Sequence, residues 1–213
     1  TEPYTDAGYV HVLGGGGEIT TPAVFAISGP NAIVDWVVVE LRDATDPSTV
    51  VATRSALLQR DGDIVGTNGT SPVQFTVPVK EYHVAIRHRN HFGIMSAQAL
   101  PISVALKSYD LSNGSVPLYG VGPTTNLGAV DAQWSGNSIS DDELKYTGSV
   151  NDRDPILARI GGSVATNIVT GYFPEDINLD GKTAYTGARN DRDPILLNIG
   201  GTIATNVRAE QMP

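Results

Sequence analysis

The sequence predicts a mainly β fold: an antiparallel β-sandwich of the immunoglobulin-like kind, followed by a small domain in which one loop-helix unit occurs twice. Two observations predict it. Short runs of β-branched and aromatic residues, separated by turn residues, fill residues 18–109. Residues 146–157 then return almost unchanged at 185–196, 39 positions later. The repeat spans 134–172 and 173–211, and two such copies are expected to pack against each other.

Composition restricts the classes of partner. The chain has 213 residues, a net charge of −9 with only 14 Lys plus Arg, and no cysteine. Nucleic acids and anionic membranes attract clustered cations, so we expect neither as a partner, and no apolar run is long enough to insert into a membrane. We expect any signal peptide to have been removed or to lie outside this sequence. An acidic chain without disulfides favours metal cations as stabilising partners.

Residues 1–17 are predicted to form an arm on a hinge. Residues 9–13 alternate apolar and polar side chains, and four consecutive glycines, Gly14 to Gly17, follow them. Four glycines cannot hold a fixed strand unaided. Two alternatives stay open: the arm adds as a strand to the sheet of a neighbouring chain, which would build filaments, or it pairs with its own sandwich.

Seven short segments are predicted as strands of the sandwich at 18–109. Trp36 is expected in its core. The segments are 23–28, 33–42, 49–60, 73–77, 82–89, 93–99 and 102–109. Residues 110–133 are rich in Gly, Pro, Ser, Thr and Asn, and they are expected to form a connector with a hairpin at the domain boundary.

Each copy of the repeat is predicted to contain one short helix. Asp154 and Asp193 each precede a proline, the arrangement of an N-cap followed by proline at the first helical position. A helix of two to three turns should follow each and stop at the Gly-Gly pair that begins at Gly161 or Gly200.

The second copy contains a candidate calcium loop. It supplies oxygen donors at loop positions one, three and five, then a glycine, and a carbonyl at position seven: Asp176, Asn178, Asp180, Gly181 and Lys182. Calcium prefers several oxygen ligands around a sharply turned loop, so this spacing predicts a Ca²⁺ site. Magnesium fits less well, because it avoids cages built wholly from protein oxygens.

The acid that closes this loop is ambiguous in the sequence. Gly187 stands at position twelve, where the standard loop has a bidentate acid. The nearest acids are Asp193, our first choice, and Asp191, our second. The alternative interpretation is that Asp193 only caps the helix and Asp191 only faces water.

The first copy contains a degraded version of the loop. Its candidate ligands are Asn137, Asp141, the carbonyl of Glu143, Asp152 and Asp154. Ile139 stands at position three, and Asp142 replaces the glycine at position six. We therefore expect weaker calcium binding than in the second loop, and whether the first loop binds at all stays open.

These motifs carry a resemblance to known families. The Asp176-x-Asn178-x-Asp180-Gly181 loop with a short helix, duplicated, resembles the type I dockerin half-motif with about six inserted residues. Residues 31–42, 56–63, 88–93 and the paired Asn-Asp-Arg-Asp-Pro-Ile-Leu are similar to a haemagglutinin-like or adhesin-like module of large secreted surface proteins of Bacteroidetes-type bacteria. The resemblance implies an extracellular, non-enzymatic protein. Cohesin binding does not carry over, because the inserted loops change the recognition face.

No motif predicts an enzyme. The chain lacks a cysteine nucleophile, a Gly-x-Ser-x-Gly elbow, a phosphate loop and a His-Glu-x-x-His sequence. His83 and His91 lie more than about 25 Å apart if they occupy one strand, too far to chelate one metal ion. A polar strand face is the better interpretation of these histidines.

The leading functional hypothesis is a secreted, calcium-stabilised structural or adhesive surface protein. Its expected partners are itself, through residues 1–13, or other surface proteins or glycans. The alternative is a carbohydrate-binding accessory module of a larger secreted protein, for which Trp134, Tyr82 and Tyr119 are the candidate sugar platforms. An intracellular calcium sensor is disfavoured, because no Met-rich pair of helices is present to open.

Overall fold

The computed structural model describes residues 1–213, which divide into two compact units. The first unit comprises Thr1–His88, Ile94–Gly120 and Met212–Pro213. The second comprises Arg89–Gly93 and Val121–Gln211. None of the helices combines the length and the apolar character needed to span a bilayer.

The fold is mainly β. The helices are α1 (Pro22–Phe25), α2 (Arg153–Arg159) and α3 (Arg192–Asn198). The strands are β1 (Ile33–Asp43), β2 (Val50–Gln59), β3 (Ile64–Val65), β4 (Lys80–His88), β5 (His91–Met95), β6 (Leu100–Ile102), β7 (Thr124–Asn126), β8 (Asp131–Gln133), β9 (Glu143–Lys145), β10 (Ile168–Thr170), β11 (Lys182–Ala184) and β12 (Val207–Ala209).

One six-stranded antiparallel sheet organises the first unit. Its order is β3-β2-β1-β4-β5, and β6 also pairs with β4. Trp36 on β1 is only 6% exposed and packs with Val38 and Leu57 on one face, which confirms its predicted place in the core. The opposite face buries Val37 and Val39. The prediction of a mainly β, antiparallel fold is confirmed, but irregular chain covers both faces where a second sheet was expected.

Several predicted strands differ from those in the structure. The segment at 23–28 begins as helix α1, because Pro22 stands at the start of a helical turn. The segment at 73–77 forms no strand: Val73 and Phe75 pack their side chains onto the sheet. Pro72 and Pro78 flank this segment, and proline lacks the N–H that a ladder requires. The last predicted strand, 102–109, is wrong: strand β6 covers Leu100–Ile102, and residues 103–109 form no strand.

The N-terminal arm packs on the sheet of its own chain. The Tyr4 hydroxyl donates to the Trp36 carbonyl at 2.7 Å, and the Tyr9 hydroxyl donates to the buried Glu40 carboxylate. The Thr53 amide donates to the Val12 carbonyl at 2.9 Å. The arm therefore covers one face of the sheet and part of the edge of β2.

The four glycines adopt a backbone conformation that favours glycine. All four have positive φ, between +75° and +88°. A Cβ at Gly15 would lie 2.6 Å from the Thr53 carbonyl oxygen, and one at Gly16 would lie 2.9 Å from the His11 ring. Only glycine fits both the conformation and the space at Gly15 and Gly16, and the hinge interpretation of this run stays a prediction.

The two repeat helices begin earlier than predicted. Helices α2 and α3 start at Arg153 and Arg192, so Asp154 and Asp193 lie inside the first turn and are not N-caps. The side-chain oxygens of Asn151 and Asn190 accept the Asp154 and Asp193 amides at 2.9 and 3.0 Å, the contact that a capping side chain makes. Asn fills this role because its short side chain accepts from the backbone three residues ahead.

Both helices end at the Gly-Gly pairs, as predicted. Gly161 and Gly200 have φ of +107° and +116°, a conformation that disfavours other residues. The amides of Gly162 and Gly201 donate to the carbonyls of Leu157 and Leu196, both at 2.8 Å. These contacts satisfy carbonyls that the last helical turn leaves free.

Each copy pairs one strand with a strand of the other copy, and we call these two strand pairs the clasp. Strand β12, at the end of the second copy, pairs with β9 in the loop of the first. Strand β10, at the end of the first copy, pairs with β11 in the loop of the second. The Thr147 hydroxyl donates to the Ala204 carbonyl at 2.8 Å, and the Thr186 hydroxyl donates to the Ala165 carbonyl at 2.9 Å. In the structure, the two copies therefore pack against each other.

The boundary between the units falls between Gly120 and Val121. Residues 110–120 belong to the first unit, although the sequence placed them in the connector at 110–133. Strands β7 and β8 form the hairpin expected in that segment.

A buried hydroxyl in the second copy offers a stabilising substitution. Thr183 is fully buried, and its Oγ1 has no hydrogen-bond partner. Thr183→Val should raise the stability by about 1–2 kcal/mol, because it removes an unsatisfied polar group. Thermal unfolding measures the effect. Thr186→Val is the matched control and should lower the stability, because the Thr186 hydroxyl donates to a carbonyl. A loss of stability in Thr183→Val would contradict the prediction.

Candidate metal centre

The second loop is sharply turned around its acids. Asp176 accepts the amide of Asp180 on Oδ1 at 3.1 Å and the amide of Gly181 on Oδ2 at 3.0 Å. Asn178 Oδ1 also accepts the Asp180 amide, at 3.1 Å. Leu179 and Gly181 have φ of +58° and +82°. The oxygens at positions one, three and five are thus held by the loop's own backbone.

The closing acid nearest to this loop is Asp191. Its side chain is fully buried and accepts the amides of Ile177 and Ala184, both at 2.8 Å, and that of Asn178 at 3.2 Å. The Asp193 side chain is 66% exposed and accepts the Asn190 amide group at 2.7 Å. The structure therefore reverses the expected order of the two acids. The cause is the helix start: Asp191 precedes the first helical residue and turns back toward the loop.

Burial sets the electrostatics of the second loop. Burial, together with the charge of Asp176, raises the pKa of Asp191 to about 6, although three main-chain hydrogen bonds oppose the shift. Burial also raises the pKa of Asp176, and the charge of Asp180 adds to it. The guanidinium of Arg89, 3.8 Å from Asp176, lowers that pKa in part. Ionised carboxylates here cost free energy that a cation would offset.

The remaining candidate of this loop is Lys182. It opens strand β11 opposite Thr170, and its amide donates to Asp180 Oδ1 at 3.1 Å. Its side chain is exposed. Only its carbonyl was proposed as a ligand. The strand register places that carbonyl at the end of the β10–β11 pair that adjoins the loop.

The first loop reproduces this framework at the equivalent positions. Asn137 Oδ1 accepts the Asp141 amide at 3.0 Å, and Asp141 Oδ1 accepts the Glu143 amide at 3.0 Å. Asp152 accepts the amides of Ser138 and Lys145, both at 2.9 Å. Burial, followed by the charge of Asp141, raises the pKa of Asp152 to about 6. Asp152 is thus the counterpart of Asp191.

Two features of the first loop differ from the second. Ile139 brings no oxygen to position three, and Asp142 lacks the positive φ that Gly181 has. Asp154 lies away from the loop: it accepts from Asn151 at 2.8 Å and from Arg153 at 2.8 Å, with a side chain that is 59% exposed. Of the five predicted ligands, Asp154 is therefore not brought to the loop.

The sequence analysis missed what the repeated Tyr and Arg do. The Arg153 guanidinium lies 5.2 Å from the Tyr146 ring centroid, and Arg192 lies 5.1 Å from the Tyr185 ring. Such a cation–π contact fixes the segment between the loop and the helix. The signal was present as the seven-residue spacing of Tyr and Arg in both copies. Asn151 and Asn190 were overlooked in the same way.

No group of three or more His, Cys, Asp or Glu side chains converges as a metal centre in the structure. This finding does not bear on calcium either way, because a calcium loop also uses amide and main-chain carbonyl oxygens.

Two of the three candidate sugar platforms are covered. Tyr82 is fully buried. The ring of Trp134 lies 3.5 Å from the Arg208 guanidinium, which occupies one face. Tyr119 is partly buried. A sugar platform requires an exposed aromatic face, so Tyr82 is excluded and Trp134 offers at most its other face.

Comparison with known proteins gives no relative: no family model, curated protein or solved structure matches this chain.

Proposed function

We propose that this protein is a secreted structural or adhesive surface module that bound calcium stabilises. The supporting observation is the second loop: oxygen side chains at positions one, three and five, a left-handed glycine at position six, and two buried carboxylates with raised pKa. The chemistry of this donor set fits a hard cation with flexible coordination, which is the character of Ca²⁺.

The ion would be held by five residues of the second copy. These are Asp176, Asn178, Asp180, Lys182 through its carbonyl, and Asp191. Calcium supplies a positive charge that offsets the repulsion between the buried carboxylates. We place it in the second loop and take Asp191, not Asp193, as the closing ligand, because the Asp191 carboxylate touches the loop backbone.

Binding in this loop would stabilise the clasp between the two copies. The Gly181 carbonyl accepts the Gly171 amide at 3.1 Å, and β11 follows the loop directly. A cation that fixes the loop therefore fixes the strand pair that joins the copies. Binding free energy then adds to folding free energy, as a disulfide does in other secreted domains.

A structural or adhesive role in the extracellular space accords with this use of calcium. Extracellular modules bind calcium at about 10⁻⁴–10⁻³ M, which suits a stabilising ion that is always present. The acidic chain also favours cations as partners. Other surface proteins or glycans remain the proposed partners, and no catalytic role is proposed.

Thermal unfolding with calcium and with excess EDTA tests the proposal. Calcium at 100 times its Kd should stabilise the protein by about 2.7 kcal/mol, a rise in melting temperature of roughly 5–10 °C. Asp180→Asn should abolish this difference. The matched control Asp193→Asn should retain it, because the Asp193 side chain lies away from the loop. If EDTA changes nothing, the loops are surface turns and the proposal fails.

A further inference from the structure

We propose that Asn113 is a self-modification site: in the folded protein, the amide nitrogen of Gly114 attacks the Asn113 side chain and converts this residue, through a cyclic imide, into aspartate or isoaspartate. The substrate is the chain itself, and the co-reactant is water. The reaction needs no calcium, and Asn113 lies in the first unit, whereas the proposed metal centre lies in the second.

The sequence supplies the reacting pair twice. Asn-Gly occurs at Asn68-Gly69 and at Asn113-Gly114. Ring closure requires the amide nitrogen of the following residue to reach the side-chain carbonyl carbon of asparagine. Glycine permits this approach, because it has no Cβ and the widest choice of backbone conformations. The third residue is Thr70 or Ser115, so the two sites are closely matched in sequence, and their surroundings in the fold distinguish them.

The Gly114 amide is available for the reaction. Gly114 is exposed, has φ of +78°, and has open space around the position of a Cβ. Its N–H donates no hydrogen bond in the structure. Removal of this proton by hydroxide from solvent therefore breaks no contact with the rest of the protein.

Two hydrogen bonds hold the Asn113 side chain within the same turn. Its Oδ1 accepts the Ser115 amide at 2.8 Å. This contact polarises the carbonyl group that the nitrogen attacks and stabilises the negative charge that forms on its oxygen. Its Nδ2 donates to Asp110 Oδ2 at 2.7 Å. Hydrogen bonds from Ser112 and from Asn113 lower the pKa of Asp110, so this partner is ionised at neutral pH.

The reaction proceeds in two steps. The lone pair of the deprotonated Gly114 nitrogen forms a bond to Asn113 Cγ, the Cγ–Nδ2 bond breaks, and Nδ2 leaves as ammonia after it takes a proton from water, which regenerates the hydroxide. Water then adds to one of the two imide carbonyls, and the bond from that carbonyl to nitrogen breaks. Hydrolysis at Cγ gives aspartate, and hydrolysis at the main-chain carbonyl gives isoaspartate. The net change consumes water and releases ammonia.

The fold protects the other Asn-Gly pair. Gly69 is buried, and its amide donates to the Gly66 carbonyl at 2.9 Å. A Cβ on Gly69 would lie 2.8 Å from Val24 Cγ1, so the chain has little room to move there. The Asn68 side chain resembles that of Asn113, since its Oδ1 also accepts the amide two residues ahead, at 3.1 Å. The Gly69 nitrogen must therefore lose a hydrogen bond before it reacts.

Conversion of Asn113 should loosen the turn that this residue closes. The product has a carboxylate where Nδ2 donated to Asp110, so a hydrogen bond becomes a contact between like charges. Leu111 and Leu118, on either side of the turn, pack on the face of the sheet that buries Val37 and Val39. The modification thus acts on the irregular chain that covers this face.

Peptide mapping by mass spectrometry tests the proposal after incubation of the full chain at mildly alkaline pH, with the fold checked by circular dichroism. In the folded protein, the exchange of NH₂ for OH should proceed about 2- to 10-fold faster at Asn113 than at Asn68, the ratio that one hydrogen bond gives. In urea, the two sites should react at equal rates. The control Asn113→Gln should stay unmodified at this position, because its longer side chain must close a larger ring.

Three results would overturn the inference. An Asn113 that stays intact in the folded protein would show that the turn prevents ring closure. Equal rates at Asn68 and Asn113 in the folded protein would show that the hydrogen bond of Gly69 gives no protection. A ratio that persists in urea would assign the difference to the flanking residues and not to the fold.

Discussion

Removal of residues 1–17 should lower the stability of the protein by about 4–6 kcal/mol. Tyr4 is 5% exposed and packs with Trp36 and Val38, and burial of one such side chain contributes about 1.5–3 kcal/mol. Tyr9 donates to Glu40, so the truncation also leaves a buried carboxylate with one partner fewer. The melting temperature should fall by roughly 10–20 °C.

The buried carboxylate of Glu2 adds to this expectation. It accepts the amides of Tyr4 at 2.7 Å and Gly17 at 2.8 Å, and its side chain is fully shielded from solvent. Burial alone would raise the pKa of Glu2, but hydrogen bonds from Thr5, Gly17 and Tyr4 outweigh burial and lower it to about 2. Glu2 thus links the start of the arm to the last glycine of the run, Gly17.

Particle size, measured together with unfolding, separates the two roles of the arm. If the arm covers its own sheet, the truncated protein melts earlier and particle size does not change. If the arm inserts into a neighbour's sheet, the wild-type protein forms large particles and the truncated protein is monomeric. A truncated protein that melts at the wild-type temperature would contradict our prediction. Val10→Ala is the control within the arm, because Val10 is 79% exposed and should contribute little.

Features that neighbouring residues in the chain determine could be predicted from the sequence. The Gly-Gly stops depend on φ at single residues, and the spacing of Asp176, Asn178 and Asp180 depends on one loop. The Gly-Gly stops were predicted correctly because neighbours in the chain determine them, whereas calcium binding by the loop stays a prediction. The preference for Asp193 over Asp191 rested on a helix start that lies two residues after the one in the structure.

Contacts between residues that lie far apart in the chain could not be predicted from the sequence. Alternating strands serve a single covered sheet as well as a sandwich, so the pattern could not show that irregular chain covers both faces of the sheet. Tyr9 and Glu40 are 31 positions apart, and nothing local connects them. Residues 14–17 were interpreted as a hinge because glycine is permissive, and the sequence could not show that Thr53, distant in the chain, approaches Gly15 so closely that a side chain has no room.

Ile156→Ala and Ile195→Ala should each destabilise the second unit by about 2–5 kcal/mol. The two residues occupy equivalent positions in α2 and α3, and both are fully buried. They belong to one hydrophobic cluster together with Leu144 and Ile177. Truncation of a buried isoleucine removes apolar contacts and leaves a cavity. Urea unfolding measures the loss, and Leu197→Ala, at a position that is 71% exposed on α3, is the control.

Because the two copies share one core, we expect more than two separate losses of stability. Because both isoleucines pack in one cluster, each single variant should unfold the two copies in one transition, and the double variant should depart from additivity. Separate transitions for the two halves would show that the copies are independent. Ile177 lies between the proposed ligands Asp176 and Asn178 and packs in the same cluster. Ile156→Ala, in the other copy, should therefore also weaken calcium binding, because the core that positions the loop belongs to both copies.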